Sequence, residues 1–339
     1  MNDALIEVND LRTYFPLTEG TVKAVDGVSL AVESGRSLGV VGESGCGKSV
    51  MALSILGVVP WPGRIVGGQI VLHRDGGPID LAALDPLSDE IRRVRGKEIS
   101  LIFQEPMTAF SPVHRIGDQI IEPILIHEPD MGKRAARARA IALLREVGIP
   151  SPERRIDRYS FELSGGMRQR AMIARALSCN PRLLIADEPT TAIDVTIQAQ
   201  ILDLLKRLQR EHGMALMMIT HDLGVIADIC DRVVVMYLGE VVESGTVHDV
   251  FTRSLHPYTE ALLNSIPDLD TEASRLAAIT GSVPDPFTRA RGCLFEPRCG
   301  KPETDEDRSL RVARKPALAE IEPGHFVRCF LHSDAVEDG

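Results

Sequence analysis

Gly42-Glu43-Ser44-Gly45-Cys46-Gly47-Lys48-Ser49 puts glycines, a lysine and a hydroxyl at the spacing G-x-x-x-x-G-K-S/T. That order of residue types suits a chain of phosphates. Gly42, Gly45 and Gly47 let the backbone curl until its N–H groups, those of Ser44 and Cys46 among them, point inward. The Lys48 ammonium can reach β and γ phosphates, and the Ser49 hydroxyl can hold Mg²⁺. A helix beginning near Lys48 adds the positive end of its dipole. Cys46 fills a variable position and reads as a tolerated small residue.

A second constellation is Leu183-Leu184-Ile185-Ala186-Asp187-Glu188-Pro189. Four apolar residues and then two acids describe a buried strand with carboxylates at its C-terminal tip, where ligands sit on open parallel sheets. Asp187 suits a Mg²⁺ shell, and Glu188 suits a general base that polarises water. An apolar run ending in acids is weak evidence alone; beside a phosphate loop it becomes half of a hydrolytic site.

These groups need a scaffold, and the pattern around them supplies one. Leu5–Val8, Val22–Val32 and Arg36–Val41 read as strands, and Ser49–Leu56 reads as a helix closed by Gly57, Pro60 and Pro62. Ile99–Phe103 is another buried strand. The segment from Gln104 to Asn180 turns helical, with periodic stretches at Arg134–Val147 and Gly166–Ser178. Leu183–Ala186, Ala215–Thr220 and Arg232–Tyr237 return to short apolar strands, alternating with helical Ile197–Glu211 and Leu223–Cys230. Alternation of this kind argues an α/β fold with a parallel sheet. After residue 250 proline, arginine and acids become frequent, as in an appended loop-rich region.

Composition bounds the function. The 339 residues are 44% hydrophobic and 25% charged, enough for a full-size core. The net charge of −10 repels phosphate backbones, so nucleic acid is not the expected partner. Locally basic Lys133–Arg139 reads as a solvated helix face. No run of about 18 apolar residues occurs, so no span is expected. Met1-Asn2-Asp3-Ala4 has neither a basic nor an apolar leader region, so the expectation is a cytosolic protein with unpaired cysteines.

Leu163-Ser164-Gly165-Gly166-Met167-Arg168-Gln169-Arg170, 23 residues before Asp187, resembles the ABC signature LSGGx-Q/R-x-Q/R. The remaining family elements follow in order: Gln104 at a strand end, Asp194 in Thr190-Thr191-Ala192-Ile193-Asp194, and His221 in Ile219-Thr220-His221-Asp222. Phe15 aligns with the aromatic that stacks on adenine, with Tyr14 as the alternative. The resemblance implies a P-loop NTPase (RecA-like) core at 1–104 and 181–250. It also implies an inserted ABC helical subdomain at 105–180 and a C-terminal extension at 251–339. It assigns ATP and Mg²⁺ to Ser49, Gln104 and Asp187, catalysis to Glu188, His221 and Gln104, and in-trans contacts with a second cassette to Ser164, Gly165, Gly166 and Asp194.

Phe103-Gln104-Glu105-Pro106-Met107-Thr108, Asp194-Val195-Thr196-Ile197-Gln198-Ala199-Gln200, His256-Pro257-Tyr258-Thr259 and Gly292-Cys293-Leu294-Phe295-Glu296-Pro297-Arg298-Cys299 narrow the likeness. Together they resemble D-type ATPase subunits of oligopeptide, dipeptide and nickel importers. Such a subunit implies a paralogous ATPase partner or a second copy, two transmembrane permease subunits, an extracytoplasmic solute-binding protein, and a place on the cytoplasmic face of the inner membrane. The transported solute is not legible. The rivals are a soluble ABC ATPase acting on ribosomes or DNA, and an inactive scaffold.

Relatives often carry four tail cysteines, some with a 4Fe–4S cluster. Here Cys293, Cys299 and Cys329 are present, and the third position falls near Glu306. Glu306, His325 or His332 could complete a ligand set, zinc tolerates Cys₃His better than a cluster does, and plain packing is the third reading.

Overall fold

The computed structural model describes residues 4–104, 109–191, 194–265, 279, 281–287, 290–301 and 304–337. Within α-helical stretches the side chains of Val195, Asp305, Glu306, Asp307 and Leu310 lie outside the description. Along the chain run β1 (Ala4–Leu17), β2 (Gly20–Glu33), β3 (Ser37–Val41), α1 (Lys48–Ile55), β4 (Arg64–Leu72), β5 (Ile79–Asp80), α2 (Asp89–Val94) and β6 (Ile99–Ile102). Then come α3 (Ile116–His127), α4 (Lys133–Glu146), α5 (Pro152–Arg155), α6 (Gly165–Ala176), β7 (Leu183–Asp187), α7 (Val195–His212) and β8 (Ala215–Ile219). The last part holds α8 (Leu223–Ile229), β9 (Arg232–Tyr237), β10 (Glu240–Thr246), α9 (Val247–Thr252), α10 (Pro257–Leu263), α11 (Asp305–Ala313), β11 (Ala319–Glu322) and β12 (His325–Val327).

These elements pack as two compact units. One comprises Met1–Leu5, Val32–Ser37 and Ala83–Ile219; the other Ile6–Ala31, Leu38–Ala82 and Thr220–Gly339. In the first, β6, β7 and β8 pair in parallel, with Ile99 opposite Leu183 and Asp187 opposite Ile219. Every residue of β7 and β8 is buried, which explains their unbroken apolar runs: a parallel strand covered on both faces has no polar side to show. Helix α7 starts where the Asp194 carboxylate accepts the Ile197 N–H at 2.9 Å and stops at left-handed Gly213. Between them Ile201, Leu204, Leu205 and Leu208 bury one stripe at helical spacing.

In the second unit β3 runs parallel to β9, and β10, β12 and β11 continue antiparallel from β9. A separate four-stranded sheet has the order β2-β1-β4-β5. Its β1 is far longer than Leu5–Val8, because Asp10, at φ 48°, takes up an irregularity between Asn9 and Arg12 and lets pairing with β4 resume. The region after 250 contributes ordered pieces as well. Glu243, fully buried in β10, accepts N–H bonds from Leu255 and His256 and the His325 Nε2 contact at 2.8 Å, so one carboxylate fastens β10 to the turn before α10 and to β12.

Candidate functional site

The phosphate loop follows β3, whose five residues are all buried. Its glycines are required by geometry. At Gly47, φ 101°, a Cβ would sit 2.0 Å from the Ala24 carbonyl, and at Gly42 it would sit 2.2 Å from that of Met236. Gly45 faces open space and is exposed, as is Ser44. Lys48 is only 5% exposed, and its ammonium donates to the Gly42 carbonyl at 2.6 Å and the Glu43 carbonyl at 3.0 Å. Those donors lie along the loop's inner edge and can turn to phosphate oxygens, which carry more charge than carbonyls. Gly47 caps α1 without a side chain, and Met51 N–H already bonds its carbonyl. Cys46 is buried, its Sγ 3.6 Å from Lys48 Nζ, and burial pushes its thiol pKa up. It is a packed thiol, not a reactive one.

Of the two aromatics, Tyr14 is engaged by its neighbours: its hydroxyl donates to Asp26 at 2.5 Å, and Lys23 Nζ stands 5.3 Å from its ring centre. Phe15 packs on the Val59–Gly63 turn, where a Cβ on Gly63 would come within 2.4 Å of its ring. His221 is exposed on the loop between β8 and α8, whose start is capped by Asp222.

In the other unit Asp187 ends β7, 7% exposed, and Glu188 follows at φ 45°. A non-glycine residue in that region carries strain of the kind that clusters at functional sites. Here it turns the carboxylate out of the strand. Gln104 Nε2 donates to Glu188 Oε2 at 2.9 Å, and Thr191 Oγ1 donates to the same oxygen at 2.8 Å. Gln104 and Glu188 are thus brought together; Thr191 was not foreseen, although it lies within the quoted motif. Ala192 and Ile193, like Glu105–Thr108, lie outside the described residues.

Ser164 caps α6, its hydroxyl accepting the Met167 N–H at 3.4 Å, and both Ser164 and Gly165 are exposed. Asp194 caps α7 in the same way, and a Cβ on Gly166 would touch Ile197 at 3.2 Å. Two capped helix starts therefore lie side by side. Gln169, fully buried in α6, donates from Nε2 to the Pro189 carbonyl and ties that helix to the residue after Glu188. A buried glutamine in a polar helical turn gives no signal in a single sequence.

Each unit by itself offers fitting donors: the loop has an ammonium, amides and the Ser49 hydroxyl, which suit phosphate and magnesium, and β7 ends in the Asp187 carboxylate, a hard oxygen ligand. The tail does not fit a cluster as readily. Cys293, Cys299 and Cys329 line one cavity with His256 and Arg311, but its volume is about 10 Å³, room for roughly one water. Burial raises the Cys293 thiol to about 11 and raises Cys329 as well, and the neighbouring thiols add to the effect. His325 is engaged by Glu243, His332 Nε2 contacts the Leu255 carbonyl at 2.8 Å, and the Glu306 side chain lies outside the described residues. Among the described residues no group of three His, Cys, Asp or Glu is placed to hold a metal ion.

Comparison with known proteins agrees with this geometry. The family described as ABC transporter matches residues 25–191, and the oligopeptide/dipeptide transporter C-terminal region matches residues 242–304. Oligopeptide transport ATP-binding protein AppD of Bacillus subtilis (strain 168) is 49% identical over 97% of each chain. Dipeptide transport ATP-binding protein DppD of Escherichia coli (strain K12) is 44% identical over 98% of each. A dimeric post-hydrolysis structure of the ATP-binding cassette MJ0796, bound to ADP and Pi, superposes with a TM-score of 0.62 at 28% identity, covering 71% of this chain and 98% of that one. With a phosphate loop, a carboxylate pair and a signature helix in place, and relatives this similar along nearly the whole length, the chain belongs to the ATP-hydrolysing ABC transporter ATP-binding proteins of the oligopeptide/dipeptide type.

Proposed function

We propose that the chain energises uptake of peptides or a related small solute, docked at the cytoplasmic face of the inner membrane on two permease subunits fed by a solute-binding protein. Among the described residues no helix is long and apolar enough to cross a membrane, so the pore falls to other chains. The observation that carries the reading is the exposed start of α6. Ser164 and the amides of Gly165 and Gly166 form an anion-ready helix N-terminus that this fold leaves open to solvent.

In this reading two cassettes close over two ATP molecules, as the dimeric relative bound to ADP and Pi suggests. Each gives Lys48 and its loop amides to one nucleotide and Ser164, with Asp194 nearby, to the other. The partner is a paralogous chain, or alternatively a second copy. Phe15 stacks on the base, since Tyr14 is occupied. Ser49, Asp187 and Gln104 would hold Mg²⁺, which would supply positive charge against the phosphates. Glu188 takes the proton of the attacking water, Gln104 orients that carboxylate, and His221 donates to the γ-phosphate. Closure stabilised by nucleotide contacts that the open state lacks is what a ligand-driven switch requires.

For the cysteines the reading best supported is packing: a one-water cavity and engaged histidines. Metal analysis of chain purified without oxygen tests it, and stoichiometric iron or zinc would reverse it. For the whole proposal the test is peptide uptake by vesicles holding the chain with its permeases. Uptake must need ATP inside the compartment that holds the cassette, and must stop with Glu188→Gln; uptake that survives that variant would end the proposal.

A further inference from the structure

Two tail motifs find no role in the nucleotide site as assigned: His256-Pro257-Tyr258-Thr259 and Gly292–Cys299. Both reach the phosphate loop at one residue. The Glu43 N–H donates to the Tyr258 hydroxyl at 2.8 Å. The Glu43 carboxylate accepts Arg298 Nη1 at 2.6 Å and Nη2 at 3.1 Å, a two-pronged pair. The Arg298 side chain is 3% exposed. Its guanidinium lies about 6 Å from the ring centres of Tyr237 and Phe295, and Tyr258 packs on the same two rings. Burial and stacking leave the arginine little freedom, and the Glu43 pair holds it more firmly protonated than usual.

Glu43 matters to the loop because its carbonyl also receives Lys48 Nζ and the Cys46 N–H. Contacts therefore run from Tyr258 and Arg298, through Glu43, to the lysine that meets phosphate. A loop whose amides must converge on an anion binds better when its ends are already fixed. We propose that Tyr258 and Arg298 are positioning residues that hold the Glu43 shoulder of the phosphate loop and thereby set its affinity for nucleotide.

The inference rests on the ATP-site reading above, and the experiment separates the two. Full-length wild type, Lys48→Ala, Arg298→Met, Arg298→Lys, Tyr258→Phe and Phe295→Leu are titrated with mant-ATP. KM and kcat for ATP are measured on the assembled transporter. The expected result is affinity weakened about tenfold in Arg298→Met and Tyr258→Phe, as loss of one such bond allows, with Arg298→Lys between them and wild type. KM should rise while kcat at saturating ATP stays within about twofold, because the contacts act on ground state and transition state alike. Phe295→Leu removes a ring that flanks Arg298 but no bond to Glu43, so it should weaken binding less than Arg298→Met does. Equal affinity in wild type, Arg298→Met and Tyr258→Phe would overturn the inference, and so would an equal loss in Phe295→Leu, which would reduce the contacts to general packing. Failure of wild type itself to bind would instead sink the ATP-site reading. If Arg298→Met does not fold, Tyr258→Phe, which removes one oxygen and keeps the ring, decides the matter.

Discussion

Gln104 Nε2 lies 2.9 Å from Glu188 Oε2, so the amide at the end of β6 holds the carboxylate at the end of β7. Thr191 Oγ1 donates to the same oxygen at 2.8 Å. Glu188→Gln keeps shape and hydrogen bonding but loses the base. ATP turnover should fall by about 10²–10⁴-fold with mant-ATP affinity unchanged; comparable turnover in steady-state phosphate release would remove Glu188 from the chemistry.

The loop glycines should not be equivalent. Gly47→Ala drives a methyl to 2.0 Å from the Ala24 carbonyl at φ 101°, a backbone clash that no rotamer relieves. Gly45→Ala meets nothing within 4 Å and suffers only the left-handed backbone, about 1–2 kcal/mol. Denaturant unfolding should rank wild type above Gly45→Ala above Gly47→Ala, with nucleotide binding lost in the last. Equal midpoints for the two variants would show that the loop relaxes freely.

Ser164 offers a way to separate the helix cap from the in-trans contact. Aspartate caps helices about as well as serine, so Ser164→Asp should leave stability within about 0.5 kcal/mol of wild type. Its charge would nevertheless stand where a second nucleotide's γ-phosphate is proposed to sit. The variant should bind mant-ATP normally as an isolated chain and fail to hydrolyse in the assembled transporter. Hydrolysis near the wild-type rate would show that Ser164 meets no phosphate.

The same contrast between short-range chemistry and long-range contact explains what could be read beforehand. The phosphate loop was legible because phosphate binding dictates residue types over eight consecutive positions. Strands β7 and β8 were legible because burial on both faces leaves only apolar residues. Asp194 was named through its motif, and its role as the cap of α7 came only from the structure. The extension of β1 to Leu17 was hidden, since it depends on an irregularity at Asp10 that only the β4 pairing reveals. Strand β11, Ala319-Glu320-Ile321-Glu322, is largely exposed and shows no apolar run. The Arg298–Glu43 pair joins residues 255 positions apart, and no local pattern encodes such a distance.

His256 gives the clearest dependence on pH. It is 2% exposed, its N–H bonds Glu243, and its Nδ1 accepts the Tyr258 N–H at 3.0 Å to cap α10. An imidazolium has no lone pair there, so protonation would destroy the cap. Burial, aided by nearby His332 and Arg328, pushes its pKa from 6.5 down to about 3. Above pH 6.5 both folded and unfolded chains carry it neutral, and its contribution to stability is complete. Below 6.5 the unfolded chain takes up the proton and the folded chain does not, so stability declines by about 1.4 kcal/mol per pH unit, the contribution being lost by about pH 3. Asparagine can cap the same turn without titrating in this range. His256→Asn should therefore flatten the decline between pH 6.5 and 5, above the main carboxylate range. Urea midpoints at half-unit steps measure it, and an unaltered slope in the variant would mean that His256 titrates in the folded chain much as it does in water.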